Sequence, residues 1–399
     1  MQQQLDPLTA VTHHNPYPYY AELVATKSLY YDEALGLWVA SNAEMVTAVF
    51  TNPLCRVRPI AEPIPEALLG SPAALIFRQL VRMNDGTDHC PFKHAVSATL
   101  ASVSAIHAIK QSNWWSGVLA TRYLGDTPDQ LADFVFDLPV YVVGSLLGIS
   151  PNLLPQITLW IGDFVRCLAP ASSADELERG KQAAAQLRDA FRSLLQAQQT
   201  QLPAGLLATL AKKATRMERP DPDSVIANGI GLLSQAYEAT AGLIGNTLLI
   251  LAARDELRQT LSAHPDALNN IIQEVLRYDP PIQNTRRFVA QAGFVAGQHM
   301  AAGATILLVL AAANRDSRAN PAPAAFDPWR KERRLFTFGL GAHACPGEAL
   351  APLIARAGIK RLMTTDIWPH IWPHLRSGVR YRTSANARVP LIGQRRDTP

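Results

Sequence analysis

Between Asp221 and Leu261 the sequence DPDSVIANGIGLLSQAYEATAGLIGNTLLILAARDELRQTL reads as one long helix whose middle is apolar on nearly every side. Such a helix cannot lie on a wetted surface, so the pattern predicts an element that crosses the protein interior. The only acid in its middle is Glu238, and a carboxylate there is costly unless it has partners or a task. A chain built round this helix needs a large surrounding core. At 399 residues, 48% hydrophobic and 18% charged, this one has the material for it.

Helical periodicity dominates elsewhere too. The stretch 175–202 places apolar residues at three- and four-residue spacing with charges between them, which predicts a surface helix. Strand signals are few and short: LYYD at 29–32, LWVA at 37–40, RFVA at 287–290 and TILLVL at 305–310. The expected fold is mainly α with a small β region. Two irregular segments stand out, a Pro-rich stretch from Arg56 to Ala74 that reads as a long loop, and a second from Asn314 to Arg334. No repeat or low-complexity segment appears, and nothing forces a split, so a single domain over 1–399 is expected.

The formal net charge of +4 is spread without a polybasic block, so no nucleic-acid binding is expected. The N-terminus lacks the basic, apolar and small-residue regions of a signal peptide, and a cytoplasmic location is expected. Apolar runs such as 304–313 fall short of the roughly 20 residues that span a bilayer, so no membrane partner is expected. Four cysteines without a C-x-x-C pair indicate neither a zinc site nor a disulfide framework. Cys55, Cys90 and Cys167 read as buried apolar fillers.

Cys345 differs, because it sits in FGLGAHACPG, residues 338–347, with Gly339, Gly341 and Gly347 around it. A thiolate is a strong, soft metal ligand, and a glycine-rich turn can aim N–H groups at its sulfur while leaving room beneath a flat ligand. Phe338, Gly341, His343, Cys345 and Gly347 match in register the F-x-x-G-x-[HR]-x-C-x-G signature, and here the sequence resembles the cytochrome P450 family. Other motifs follow the family order. Glu274 and Arg277 supply its E-x-x-R, one helical turn apart so that carboxylate and guanidinium can pair. PPIQNTRRFVA at 280–290 and MNDGTDHCPFKHAV at 83–96 are similar to its propionate-binding segments. The resemblance extends over essentially the whole chain.

The resemblance implies a cytochrome P450 fold holding haem b (iron protoporphyrin IX), with Cys345 as the axial iron ligand and Phe338 in the cofactor loop. His89, Lys93, Arg287 and His343 would face the propionates, with Arg286 the less favoured neighbour of Arg287. Lys93 stands where the family has arginine, which keeps the charge and loses the planar fork. Glu274 and Arg277 would be structural. The implied substrate pocket is lined by the loop from Ile60 to Ile76, by Leu232, Gln235, Ala236 and Ala239, and by Ile282, Asn284 and Thr285.

Two positions depart from the family pattern. Its oxygen-activating helix usually reads [AG]-G-x-[DE]-T-[TS]; here the segment is Gln235, Ala236, Tyr237, Glu238, Ala239, Thr240. The acid is kept, the threonine is alanine, and Thr240 is turned by about 100° from that place. Pro352 follows the cysteine loop where the family continues with arginine, and a helix starting at Pro346 would be bent by it. The implied activity is hydroxylation of a lipophilic small molecule, by analogy in secondary metabolism, with electrons from a separate ferredoxin and its reductase. Desaturation or oxidative aromatic coupling without oxygen insertion is the alternative, and a non-catalytic haem sensor or carrier is a second.

Overall fold

A computed structural model describes residues 5–86, 90–124, 130–169, 172–200, 205–215, 221–366, 368–376 and 379–393. The central helix forms over Pro222–Ala253. Its start follows from local chemistry: the Asp221 carboxylate accepts the Asp223 N–H at 3.0 Å, and Pro222 takes the first helical position, where a missing N–H costs nothing. It stops earlier than the sequence pattern predicts. Arg254 is extended, Asp255–Ala263 forms a separate helix, and Arg258 donates to the terminal carbonyls of Leu251 and Ala252. A helix end left with unpaired carbonyls is thereby satisfied by a side chain from the next helix.

As expected of an all-round apolar helix, it runs through the core. It packs against Leu131–Leu147, Leu154–Cys167, Ala174–Thr200, Ala267–Tyr278 and Leu350–Met363. Among the described residues it is the one helix long and apolar enough to span a bilayer, and 67% of that stretch is buried inside the fold. At Gly242 an added Cβ would lie 2.8 Å from Pro281 Cβ and 3.1 Å from Arg388 O. The bare backbone there lets the 281 and 388 segments rest directly on the helix.

The β region is a five-stranded sheet in the order β1-β2-β7-β4-β3, with β5 and β6 forming a separate hairpin. The strands are β1 Leu29–Asp32, β2 Leu37–Ala40, β3 Cys55–Arg56, β4 Thr285–Val289, β5 Gly293–Val295, β6 Gln298–Met300 and β7 Thr305–Leu308. β2 and β7 are parallel, whereas β1/β2, β3/β4 and β4/β7 are antiparallel. β7 is buried from Ile306 to Leu308 because it lies mid-sheet.

The Pro-rich segment is less loop-like than its sequence suggests. A helix Pro72–Gln79 begins inside it, with Ser71 Oγ accepting the Ala74 N–H at 3.3 Å. The Ser-Pro pair is a helix start, not a breaker.

Candidate active site

A cavity of about 1280 Å³ lies between the central helix and the Cys345 loop. The loop is fixed from below: Phe336 N–H donates to Asn314 Oδ1 at 2.7 Å, Asn314 Nδ2 to Thr337 Oγ1 at 2.8 Å, and Thr337 Oγ1 to Leu276 O at 2.6 Å. It then curls back, with Cys345 N–H donating to Phe338 O at 2.7 Å. Gly339 and Gly341 have φ of +68° and +67°, left-handed values that disfavour any side chain. Cys345 is exposed and, with Phe338, lines the cavity.

Although Cys345 opens onto the cavity, desolvation by the surrounding walls pushes its thiol up, opposed by a hydrogen bond from Gly347 N–H and by the Lys93 charge. A coordinated metal ion would supply the charge that removes its proton. The helix after the loop begins at Leu350, not at Pro346. Pro352 therefore stands in its first turn, where no intrahelical N–H bond is lost, and the reason for the expected bend falls away.

Cations gather at the cavity. Lys93 Nζ donates to Ala344 O, next to Cys345; burial lowers its pKa and Cys345 opposes that. Arg287 is buried, lies 4.9 Å from the Phe50 ring centroid, and lines the cavity. His343 Nε2 donates to Asp85 Oδ1 at 3.0 Å, and Asp85 Oδ2 accepts the Val57 N–H at 3.0 Å. Burial would raise the Asp85 pKa, but these two hydrogen bonds outweigh it and hold the carboxyl below its ordinary value. Sequence reasoning missed Asp85 as the partner of His343. His89 lies outside the described residues.

The opposite wall comes from the central helix: Leu232, Gln235, Ala236, Glu238, Ala239 and Thr240 all line the cavity. Gln235 Nε2 donates to Gly231 O at 2.9 Å, which leaves its second N–H for the cavity. Glu238 is paired with Arg382, 3.1 Å from Nη1 to Oε1. That arginine lies 144 positions away in an unremarkable C-terminal stretch, with no sequence signal for its role.

Ile282, Asn284 and Thr285 complete this wall. Ile282 bridges to Ala387, and Asn284 Nδ2 donates to Ala385 O at 2.8 Å. The loop assignment from Ile60 to Ile76 needs correction. Glu62, Pro63 and Pro65 reach the cavity, but Ile60 is 64% exposed and Ile76 is buried in the hydrophobic core.

Glu274 and Arg277 lie outside the cavity lining and are fully buried. Arg277 Nη2 donates to Glu274 Oε1 at 2.6 Å. Arg333 Nε donates to Oε2 at 2.9 Å and Asp327 N–H to Oε1 at 3.1 Å. Arg277 also donates to the carbonyls of Pro323 and Ala325, at 2.9 and 2.8 Å. Burial works against the charge of Glu274, but these bonds hold its carboxyl below the ordinary range.

Among the described residues no group of three or more His, Cys, Asp or Glu could hold a metal ion. An iron held by Cys345 must therefore bring its other ligands with it, as a porphyrin does. A flat dianionic macrocycle fits a cavity with a thiol on one wall and Lys93 and Arg287 at its margin.

The fold and the loop define a haem-thiolate protein, and comparison with known proteins agrees. The family model "Cytochrome P450" matches residues 224–365. The biotin biosynthesis cytochrome P450 of Bacillus subtilis is 25% identical over 88% of each chain. The vitamin D(3) 25-hydroxylase of Pseudonocardia autotrophica is 31% identical over 62% of this chain and 60% of its own. Among solved structures, CalO2 superposes with a TM-score of 0.82 at 22% identity, covering 97% and 96% of the two chains. P450BioI in complex with hexadec-9Z-enoic acid ligated acyl carrier protein superposes with a TM-score of 0.79 at 22% identity, covering 94% and 97%. The chain has the cytochrome P450 fold and is similar to members of that family over most of its length.

Proposed function

We propose that the chain is a single-domain haem b monooxygenase, cytoplasmic, that hydroxylates a C–H bond of a lipophilic small molecule in secondary metabolism. Its electrons come from a separate ferredoxin and reductase. The observation that carries this reading is one cavity walled by Cys345 on one side and by Gln235, Glu238, Ala239 and Thr240 on the other. The relative named for vitamin D(3), a lipophilic molecule, supports the substrate class.

When bound, a thiolate-ligated haem supplies dioxygen activation and oxidation of the substrate. Every other task falls to the chain. Cys345 would hold the iron from a loop whose turns are fixed by Gly339 and Gly341. Lys93, Arg287 and His343, which line the cavity, would hold the propionates, with His89 a further candidate from the sequence. Leu232, Ala236, Ile282 and Thr285 enclose the substrate and exclude water, with Asn284 fixing that wall to the C-terminal segment.

Among the described residues of the central helix, Glu238 is the acid that lines the cavity, and its ion pair with Arg382 holds its carboxylate at the cavity edge. Proton transfer from solvent needs that pair to open. Ala239 offers no hydroxyl, so a substrate group or an ordered water takes that place. A second reading rests on the same alanine: without that hydroxyl, turnover ends in desaturation or oxidative coupling.

The test is optical titration of the ferric holoprotein against terpenoids, macrolides, aromatics, fatty acids and peptides, then reconstitution with ferredoxin, reductase and the best binder. A saturable spin-state shift and an oxygenated product with labelled dioxygen support the proposal. A product lacking the label supports desaturation or coupling. Spin shifts without any electron-driven product support a sensor or carrier.

A further inference from the structure

Five polar residues of the central helix line the cavity: Asn228, Ser234, Gln235, Glu238 and Thr240. Four of them are committed within the protein. Asn228 accepts the Val81 N–H at 2.8 Å and donates to Gln79 O at 2.8 Å. Ser234 Oγ and Gln235 Nε2 both donate to Gly231 O, at 3.2 and 2.9 Å, and Glu238 is held by Arg382. Thr240 is the exception, because its hydroxyl has no hydrogen bond with any described residue.

A threonine inside a helix commonly turns its hydroxyl back onto the carbonyl three or four residues earlier. Thr247 of the same helix does so, donating to Leu243 O at 2.7 Å. Thr240 bonds to neither the Ala236 nor the Tyr237 carbonyl, although only 1% of the residue is exposed. Its oxygen is not shut in the core either. Among the described residues, the side-chain oxygens closed off without a partner belong to Tyr20, Ser112, Asn246 and Gln283, and none of these borders the cavity. The Thr240 hydroxyl therefore opens on the cavity.

A hydroxyl taken from bulk water without a partner costs free energy, and an ordered water recovers it. The Ala236 carbonyl, spared by Thr240, keeps a second lone pair and offers such a water another bond. Ala236 stands three residues before Ala239 and four before Thr240, so the three share one stretch of wall, and all of them border the cavity.

We propose that Thr240 is a positioning residue that anchors an ordered water beside the Ala239 methyl, so that the chain itself, not the substrate, fills the place of the missing hydroxyl. This rests on the haem-monooxygenase reading and chooses the water over a substrate group at that place.

The test is the optical spectrum of the ferric holoprotein with no substrate added, in which the balance of high and low spin reports water on the iron. T240V removes the hydroxyl and keeps the shape, whereas T240S keeps the hydroxyl. Loss of the anchoring bond should raise the ratio of high to low spin about two- to tenfold in T240V and leave T240S like the wild type. Because the hydroxyl bonds to nothing in the protein, the urea midpoint of T240V should equal that of the wild type. Should T240V not fold, T240A read against T240S carries the same comparison. An unchanged spin balance in T240V overturns the proposal, and so does a shift shared by T240S. A lower midpoint in both T240V and T240A makes the role structural and overturns it as well. Failure of the wild-type chain to give the reduced, carbon-monoxide-bound spectrum of a thiolate haem would defeat the functional reading separately.

Discussion

At the scale of single residues the distal wall is defined by what Ala239 lacks. An alanine cannot hold a water or a dioxygen-bound proton, so another group must stand near its Cβ if turnover is well coupled. The A239T variant puts a hydroxyl and a methyl into that space. With the natural substrate it should lower product formed per NADH consumed by roughly three- to tenfold, because the new side chain displaces the resident group. Unchanged coupling would mean that nothing occupies the place, and improved coupling would mean that a needed hydroxyl is simply absent. The position was legible in the sequence because it breaks a fixed motif. Arg382 was not, since it lies in no motif and reaches the cavity only through the fold.

At the scale of elements, Glu274 joins a regular helix to an irregular segment. The E-x-x-R spacing was readable, but spacing alone cannot separate a solvated pair from this one, in which Arg330 and Arg333 of the 314–334 stretch also converge on the carboxylate. That stretch lacks helix and strand, so side chains must satisfy its carbonyls. E274A strips a buried carboxylate from several arginines and should cost about 3–5 kcal/mol, read from urea unfolding. The carboxyl is held below its unfolded value of about 4.3, so its contribution is fully present above that pH. It is lost as pH falls through the lower folded value. Stability of the wild type should therefore drop on acidification more steeply than that of E274Q, and parallel curves would count against this role. The β5/β6 hairpin escaped the sequence reading for another reason: strands of three residues give alternation too little length to register.

At the scale of the whole molecule, one buried cation fastens both ends of the chain to its middle. Arg388 Nε donates to Asp279 Oδ1 at 2.9 Å. Its other nitrogens donate to the carbonyls of Val11, His13 and His14 at 3.0, 2.6 and 3.2 Å, and Tyr17 donates to the same Asp279 oxygen. No sequence pattern announces it, because the partners stand 109 and 377 positions away from Arg388. The clamp also bears on the site. The 380–382 segment pairs with 389–391 through Arg382 N–H to Val389 O at 2.9 Å and Leu391 N–H to Arg380 O at 2.8 Å, so Arg388 steadies the backbone that presents Arg382 to Glu238. R388M leaves Asp279 without its cation and three carbonyls without a donor, and should cost about 3–5 kcal/mol of stability. Because the Cys345 loop is fixed by Asn314 and Leu276, not by Arg388, the variant should still bind haem with an unchanged thiolate spectrum. Limited proteolysis should then cut first within residues 5–16 or 379–393. Loss of the haem spectrum before any such cut would mean that the clamp and the cysteine loop open together, and that the ends of the chain hold the haem as well as the fold.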